Sequence, residues 1–466
     1  MSESLEQSAA GLFRERLELP ESVDSAAILR EPVHVAYGGA NLFKAGTPAK
    51  FGSLALGSIE RFAPDFAAFA NAMWLRGADT LPRFAEVVAK LGDEIADDPD
   101  GAKARHPEAW FAWTVHRRVV AKLKTEPVED FRIDFEDGYG IRSDDEEDAH
   151  AVSASDELAT VLSAPEPDLA FSGLRIKSFQ SETYHRAVRT LDLFLNNLIT
   201  RTSGNLPRNF VVTLPKIRRA AEVAVLAHLL DLAESSHGMH PGSIGIEVMI
   251  ETPEAVLGAA DLVRSGRGRV RSAHFGAFDY TAALGVTADH QHLQHDACRF
   301  ARQMMQASLT PLGVRLSDSV TTEMPVPVHR GPDLSPRDER ENRSAVHSAW
   351  RKHFNNVTQA LVNGFYQGWD LHPAQLAARY AALFAFFLES ADAQAERLGA
   401  FIGKATRAMM TGNVFDDAAS AQGLLNFFLR AARCGAMTVE EVTDRTGLTP
   451  GELASASFAK IMDSRR

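Results

Sequence analysis

The chain has 466 residues, 45% apolar and 24% charged, enough for a large buried core and the balance of an ordinary soluble globular protein. Its formal net charge of −12 argues against nucleic acid or an anionic membrane as the main partner, because both reward basic patches. The two cysteines, Cys298 and Cys434, lie too far apart to suggest a disulfide framework or a zinc site and fit a reducing cytoplasm.

The acidic, polar start is not a secretory signal, and no apolar run is long enough to span a membrane. Residues 1–32 read as a helical arm. A short strand over 33–37 follows, running into Gly38-Gly39-Ala40-Asn41. From 50 to about 125 the pattern is helical, over 51–75, 81–91 and 107–124, with an Asp97-Asp98-Pro99-Asp100-Gly101 turn between.

The rhythm then changes to short apolar runs at 131–135, 170–177, 210–214, 244–250, 272–276, 313–317 and 365–371, separated by helical segments at 145–162, 183–198, 218–234 and 291–308. With 33–37 this makes eight strand units. It predicts an α/β fold of the TIM type, a (β/α)8 barrel over 33–376 with a helical insertion at about 52–105. Residues 321–343, rich in Pro, Gly and charge, read as a long loop at the mouth of the barrel. A helical C-terminal lid is expected over 377–437 and a small helical hairpin over 438–466.

Chemistry collects where the strands end. Ile246-Glu247-Val248-Met249-Ile250 runs into Glu251, and His274-Phe275-Gly276-Ala277-Phe278 runs into Asp279. One helix-length segment separates them, so the two acids belong at the carboxyl ends of neighbouring strands, where barrel enzymes build their sites. Two such carboxylates suit Mg²⁺, with Mn²⁺ as the other hard cation to test; the alternative is two surface acids at loop starts. Glu136 and Asp137 add acids on another strand, and Arg175, Lys177 and Lys216 add bases. That mixture suits a small anionic oxygen substrate such as a 2-oxo acid: the cation chelates it, and the arginine grips its carboxylate.

Two other readings stay open. One is phosphoryl transfer on pyruvate or phosphoenolpyruvate, with Lys44, Arg175 and Lys177 receiving a phosphate, although no phosphate-binding glycine-rich loop is present. The other is a catalytically silent binding scaffold. His290, His292 and His295 invite a metal, but on a helix only 292 and 295 share a face, and a solvated face is favoured. His372 is read as closing the barrel and capping a helix rather than as an acid–base group. The acids at 144–148 read as the first turn of a helix.

Six stretches occur in the order found in one family: Arg132-Ile133-Asp134-Phe135-Glu136-Asp137, Leu174-Arg175-Ile176-Lys177, Leu214-Pro215-Lys216, Ile250-Glu251-Thr252, Phe275-Gly276-Ala277-Phe278-Asp279 with its continuation to Gly285, and Gly368-Trp369-Asp370-Leu371-His372-Pro373 with its continuation to Leu376. Over roughly 33–430 the chain resembles the citrate lyase β-subunit-like, HpcH/HpaI aldolase family of pyruvate/phosphoenolpyruvate-type barrels, which includes malyl-CoA lyase and malate synthase as relatives. The resemblance implies a Mg²⁺-dependent carbon–carbon lyase or aldolase acting through a metal-stabilised enolate. It implies that Glu251 and Asp279 hold the metal and that Arg175 holds the substrate carboxylate. Glu136 and Asp137 would hold the metal's waters or orient that arginine, and Lys216 would place a charge nearby. Gly276 and Ala277 would line the oxo-acid pocket with backbone. Asp416, in Gly412-Asn413-Val414-Phe415-Asp416, matches a lid acid that moves protons, with the adjacent Asp417 as the alternative match. A trimer or hexamer is implied as well. Three departures, namely Tyr37-Gly38-Gly39-Ala40-Asn41-Leu42-Phe43, the insertion and the 321–343 loop, point to a substrate other than citryl-CoA or malyl-CoA, and use of a CoA thioester stays open.

Overall fold

Eight parallel strands close into a barrel in chain order. The computed structural model describes residues 30–164, 169–403, 409–411, 414–416 and 418–465, so all but the end of the expected N-terminal arm lies outside the described residues. The strands are β1 (His34–Gly39), β2 (Asp130–Asp134), β3 (Phe171–Arg175), β4 (Phe210–Leu214), β5 (Gly245–Ile250), β6 (Val270–Phe275), β7 (Arg315–Val320) and β8 (Gln367–Asp370). Pairing of β1 with both β2 and β8 shuts the ring.

Side chains alternate across each strand, and the two faces have opposite chemistry. The outward set, including Phe131, Ile133, Leu174, Val212, Leu214, Ile246, Val248, Ile250 and Phe275, packs with the surrounding helices into one buried core. The other parity points into the barrel and is largely polar. Arg132 bonds Glu247 (Nε–Oε1 3.1 Å, Nη2–Oε2 3.0 Å), Thr213 and Ser272 also donate to Glu247, and Gln367 donates to Asp130 at 3.0 Å. Barrel interiors are usually filled by branched apolar residues; this one is filled by a hydrogen-bonded charge network.

Between β1 and β2 lie five helices, Thr47–Phe62, Phe66–Met73, Ala85–Asp97, Pro99–Arg105 and Pro107–Thr125. The single helix expected over 51–75 is split. Pro64 has no N–H to give, and Asp65 caps the second piece by accepting from the Ala68 N–H at 2.7 Å. The segment after Glu251 is likewise two short helices, Pro253–Leu257 and Ala259–Ser265, broken at Gly258.

The 321–343 loop is shorter than expected. Ser335 and Asp338 form a capping box, with Pro336 in the first turn, and start the helix Pro336–Val362 inside it. His290 closes the one-turn element Ala288–His290, and His295 is the N-cap of Asp296–Leu309. These histidines therefore do not share a helix face. His372 caps the turn after β8, its Nδ1 accepting from the Ala374 N–H at 3.1 Å. The acids at 144–148 do open a helix, Asp144–Leu162, behind a Ser143–Glu146 capping box.

Residues 32–388 form one compact unit; the described part of 389–466, with Arg30 and Glu31, forms another. The helix Leu376–Gly403 belongs to both. The second unit holds the antiparallel hairpin β9 (Met409–Thr411) and β10 (Val414–Asp416) and the helix Ala418–Arg433. Three short helices follow where a hairpin was expected: Val439–Thr446, Pro450–Ala454 and Phe458–Ser464. Among the described residues no helix is long and apolar enough to cross a membrane.

Candidate functional site

Glu251 follows directly on β5 and is buried, 2% exposed. Its Oε1 accepts the Lys216 backbone N–H at 2.5 Å. Lys216 reaches that position with φ of 52°, a left-handed conformation uncommon for a side-chain-bearing residue. Across the mouth, the Lys216 ammonium binds Glu136 and, at 2.9 Å, Asp137, just past β2. One residue thus ties the ends of β2, β4 and β5 together. Burial works against the ammonium, but the two carboxylates outweigh it and keep Lys216 charged.

Asp279 lies in the first turn of the helix Ala277–Ala283 after β6 and is exposed. Burial, and after it the Asp279 charge, push the Glu251 carboxyl up to about 8. Among the described residues the neighbouring cations serve other acids: Lys216 pairs with Glu136 and Asp137, and Arg175 with Asp134 and Glu136. Glu251 and Asp279 together present carboxylate oxygens at this mouth. This donor set fits Mg²⁺, a hard ion that takes carboxylate oxygens.

Arg175, the last residue of β3, is held by Asp134 at the end of β2. Nε donates to Oδ1 at 2.7 Å and Nη2 to Oδ2 at 2.5 Å. Asp134 is itself fixed by the N–H groups of Glu136 (2.9 Å) and Gly138 (2.8 Å). Nη1 lies 3.3 Å from Glu136. Burial raises the Glu136 carboxyl. For Asp137 burial is outweighed by its hydrogen bonds with Glu136 and Lys216, and its carboxyl is held low.

The structure therefore brings Glu136, Asp137, Arg175, Lys216, Glu251, Gly276 and Asp279 to one mouth, and adds Asp134, which sequence reasoning had not singled out as a site residue. Gly276 and Ala277 sit at the end of β6, their N–H groups given to Ile250 O (3.0 Å) and Ser319 Oγ (3.1 Å). One expectation changes. The phosphate set comes apart: Lys177 donates to Phe135 O and Glu147, and Lys44 to Glu157. Asp416 ends β10 in the other unit; its side chain, and Asp417 altogether, lie outside the described residues.

Gly276 supports Glu251 by having no side chain. A Cβ there would stand 2.5 Å from both Cβ and Oε2 of Glu251. Gly276→Ala is expected to push the carboxylate aside and to weaken Mg²⁺ binding at least about tenfold, while overpacking destabilises the fold by roughly 1–3 kcal/mol. Calorimetric titration with Mg²⁺ checks this; wild-type affinity in the variant would remove the glycine from the site.

The sequence profile of a family described as Domain of unknown function (DUF6986) matches residues 21–461. The chain belongs to the DUF6986 family. No curated protein matches it. Among solved structures, this DUF6986 chain is similar to a citrate lyase from Burkholderia xenovorans LB400, at 21% identity and TM-score 0.52, over 71% of this chain and 92% of that one. It also matches CitE from Mycobacterium tuberculosis in complex with magnesium, acetoacetate and coenzyme A, at 18% identity and TM-score 0.44, over 69% of this chain and 95% of that one. The first likeness establishes a shared citrate-lyase-type barrel fold for the DUF6986 chain.

Proposed function

We propose that the barrel mouth of this chain is the site of a Mg²⁺-dependent carbon–carbon lyase or aldolase acting on a small 2-oxo or hydroxy acid, in the cytoplasm and as a trimer or hexamer. The observation that carries this reading is the buried Glu251 carboxylate beside Asp279, at the same mouth as an arginine pre-set by Asp134. Glu251 and Asp279 would hold the metal. When bound, it would polarise the substrate carbonyl and offset the charge that builds on its oxygen as a C–C or C–H bond breaks.

The protein's own part is binding and orientation. Arg175 has N–H donors left beyond those given to Asp134 and would take the substrate carboxylate with them. Lys216 keeps Glu136 and Asp137 in place. For the group that moves the proton at the substrate carbon, the family resemblance offers Asp416, the adjacent Asp417 or a metal-bound water.

Incubation with Mg²⁺ and pyruvate in D₂O, followed by NMR of the methyl protons, tests the reading without the natural substrate. Mg²⁺-dependent loss of the methyl signal is expected, and the loss should be absent in Glu251→Gln. A methyl signal that persists in the wild-type protein counts against the enolate chemistry. Phosphoryl transfer loses support because two of its three anion-binding side chains point elsewhere.

A further inference from the structure

Arg175 is held along one edge by Asp134, and its Nη1 lies 3.3 Å from Glu136 and 3.7 Å from Met249 Sδ; the tilt of the guanidinium plane depends on what lies over its face. Two rings meet it there. The Tyr37 ring centroid lies 4.9 Å from Arg175 Cζ and the Trp369 centroid 5.5 Å away, both within the range of cation–π attraction. The rings also pack on each other, with centroids 4.3 Å apart.

Tyr37 is anchored from its far end. Its hydroxyl lies 3.2 Å from Glu247 Oε1 and 3.2 Å from His274 Nδ1. Burial and the Glu247 charge hold the phenol well above its usual range, so it stays protonated. The proton goes to the anionic Glu247. Burial keeps the His274 imidazole neutral, down to about 4, and the imidazole can then donate from Nδ1 to the phenol oxygen. Glu247 is in turn pinned by Arg132, Thr213 and Ser272. The hydroxyl thus faces the barrel network, and only the ring is offered to Arg175.

Tyr37, Gly38 and Gly39 end β1, at the start of the stretch that departs from the family pattern, and the two glycines let the strand run close to β2. A Cβ on Gly38 would meet the Phe131 ring at 2.7 Å, and one on Gly39 would meet the Gly138 carbonyl oxygen at 2.6 Å. A side chain at either glycine would press β1, and Tyr37 with it, away from the strand that carries Asp134.

We propose that Tyr37, with Trp369 beside it, is a positioning residue that sets the tilt of Arg175 and so the affinity of the site for a small carboxylate substrate. The inference rests on the oxo-acid reading above. It differs from a packing role because it predicts a loss confined to the carboxylate, with the metal untouched.

The test is calorimetric titration of the full chain with Mg²⁺, then with pyruvate at saturating Mg²⁺, for wild type, Tyr37→Phe, Tyr37→Leu and Trp369→Leu. Tyr37→Leu should weaken pyruvate binding about tenfold or more, in line with a desolvated cation–π contact, and leave Mg²⁺ affinity within about twofold. Tyr37→Phe, which keeps the ring, should recover most of the loss. Trp369→Leu should repeat the pattern of Tyr37→Leu, so the proposal can be judged on Trp369→Leu and Tyr37→Phe if Tyr37→Leu fails to fold. Unchanged pyruvate affinity in both leucine variants, or a parallel fall in Mg²⁺ affinity, overturns the positioning role and leaves the oxo-acid reading standing. A wild-type protein that binds Mg²⁺ but not pyruvate overturns both.

Discussion

Glu251→Gln is expected to abolish Mg²⁺ binding and, in the absence of any divalent cation, to make the protein more stable than wild type at alkaline pH. Both effects follow from one carboxylate. Glu251 is buried, and burial together with the Asp279 charge raises its carboxyl to about 8. A glutamate in the unfolded chain titrates near its ordinary value of about 4.3. Between those two values the folded state binds more protons than the unfolded state. The stability that depends on the protonated form is fully present below the unfolded value and is lost as pH rises through 8. Glutamine cannot ionise, so it escapes that loss. The difference at pH 9 should be on the order of a few kcal/mol, since a tenfold change in proton affinity between the folded and unfolded states is worth about 1.4 kcal/mol. Thermal melts in chelator at pH 5 and pH 9 measure it, with the curves close at pH 5 and the variant higher at pH 9. The linkage also gives a direction for the cation: wild-type Mg²⁺ affinity should rise with pH up to about 8, because binding displaces a proton. A Glu251→Gln protein that binds Mg²⁺ as wild type does would remove Glu251 from the metal site.

Glu251 and Asp279 were legible in the sequence because each closes a short, mostly apolar stretch, Glu251 directly after β5 and Asp279 in the first turn of the helix after β6. The eight strands were legible for the same reason: each structural strand falls within a few residues of its predicted run. Asp134 was harder. It sits inside Asp130-Phe131-Arg132-Ile133-Asp134, and its function depends on lying opposite Arg175 across the β2–β3 ladder. Register of that kind is set by pairing, which a single strand does not display. A signal was nonetheless present: charged residues at 130, 132 and 134 alternate with apolar ones, a period of two that says one face of the strand is not core. The same alternation in Glu247 and His274 marks the polar interior, hidden because their neighbours made each run look wholly apolar. The overlong loop expectation had a different origin: Ser335-Pro336-Arg337-Asp338 is a helix start that Pro and charge made resemble a loop.

Arg132→Met is expected to be the most destabilising single change in the barrel, by about 3–5 kcal/mol at pH 8. Arg132 is 1% exposed and Glu247 and Asp130 are fully buried. The guanidinium bonds Glu247 through Nε and Nη2, Thr213 at 3.2 Å, and Asp130. Removing it takes from Glu247 its principal cation and from Asp130 its hydrogen-bonded one, and burial alone strongly disfavours the ionised form. In wild type burial opposes ionisation of Glu247, but the Arg132 charge and then His274 outweigh it and hold the carboxyl far below its usual range. Its contribution to stability is therefore present above the unfolded value and lost as pH falls. In Arg132→Met that contribution is gone, and the buried acids must take up protons instead. The gap between variant and wild type should accordingly be widest near pH 8 and shrink toward pH 4, where unfolded carboxylates are protonated too. Urea unfolding at pH 5 and pH 8 reads this directly. The double variant Arg132→Met with Glu247→Met should recover part of the loss, because replacing a buried pair with apolar volume is far milder than breaking it. Such recovery would show that the network is not needed for the barrel to close. Equal stability of Arg132→Met and wild type at pH 8 would mean that the interior charges are solvated by something other than each other.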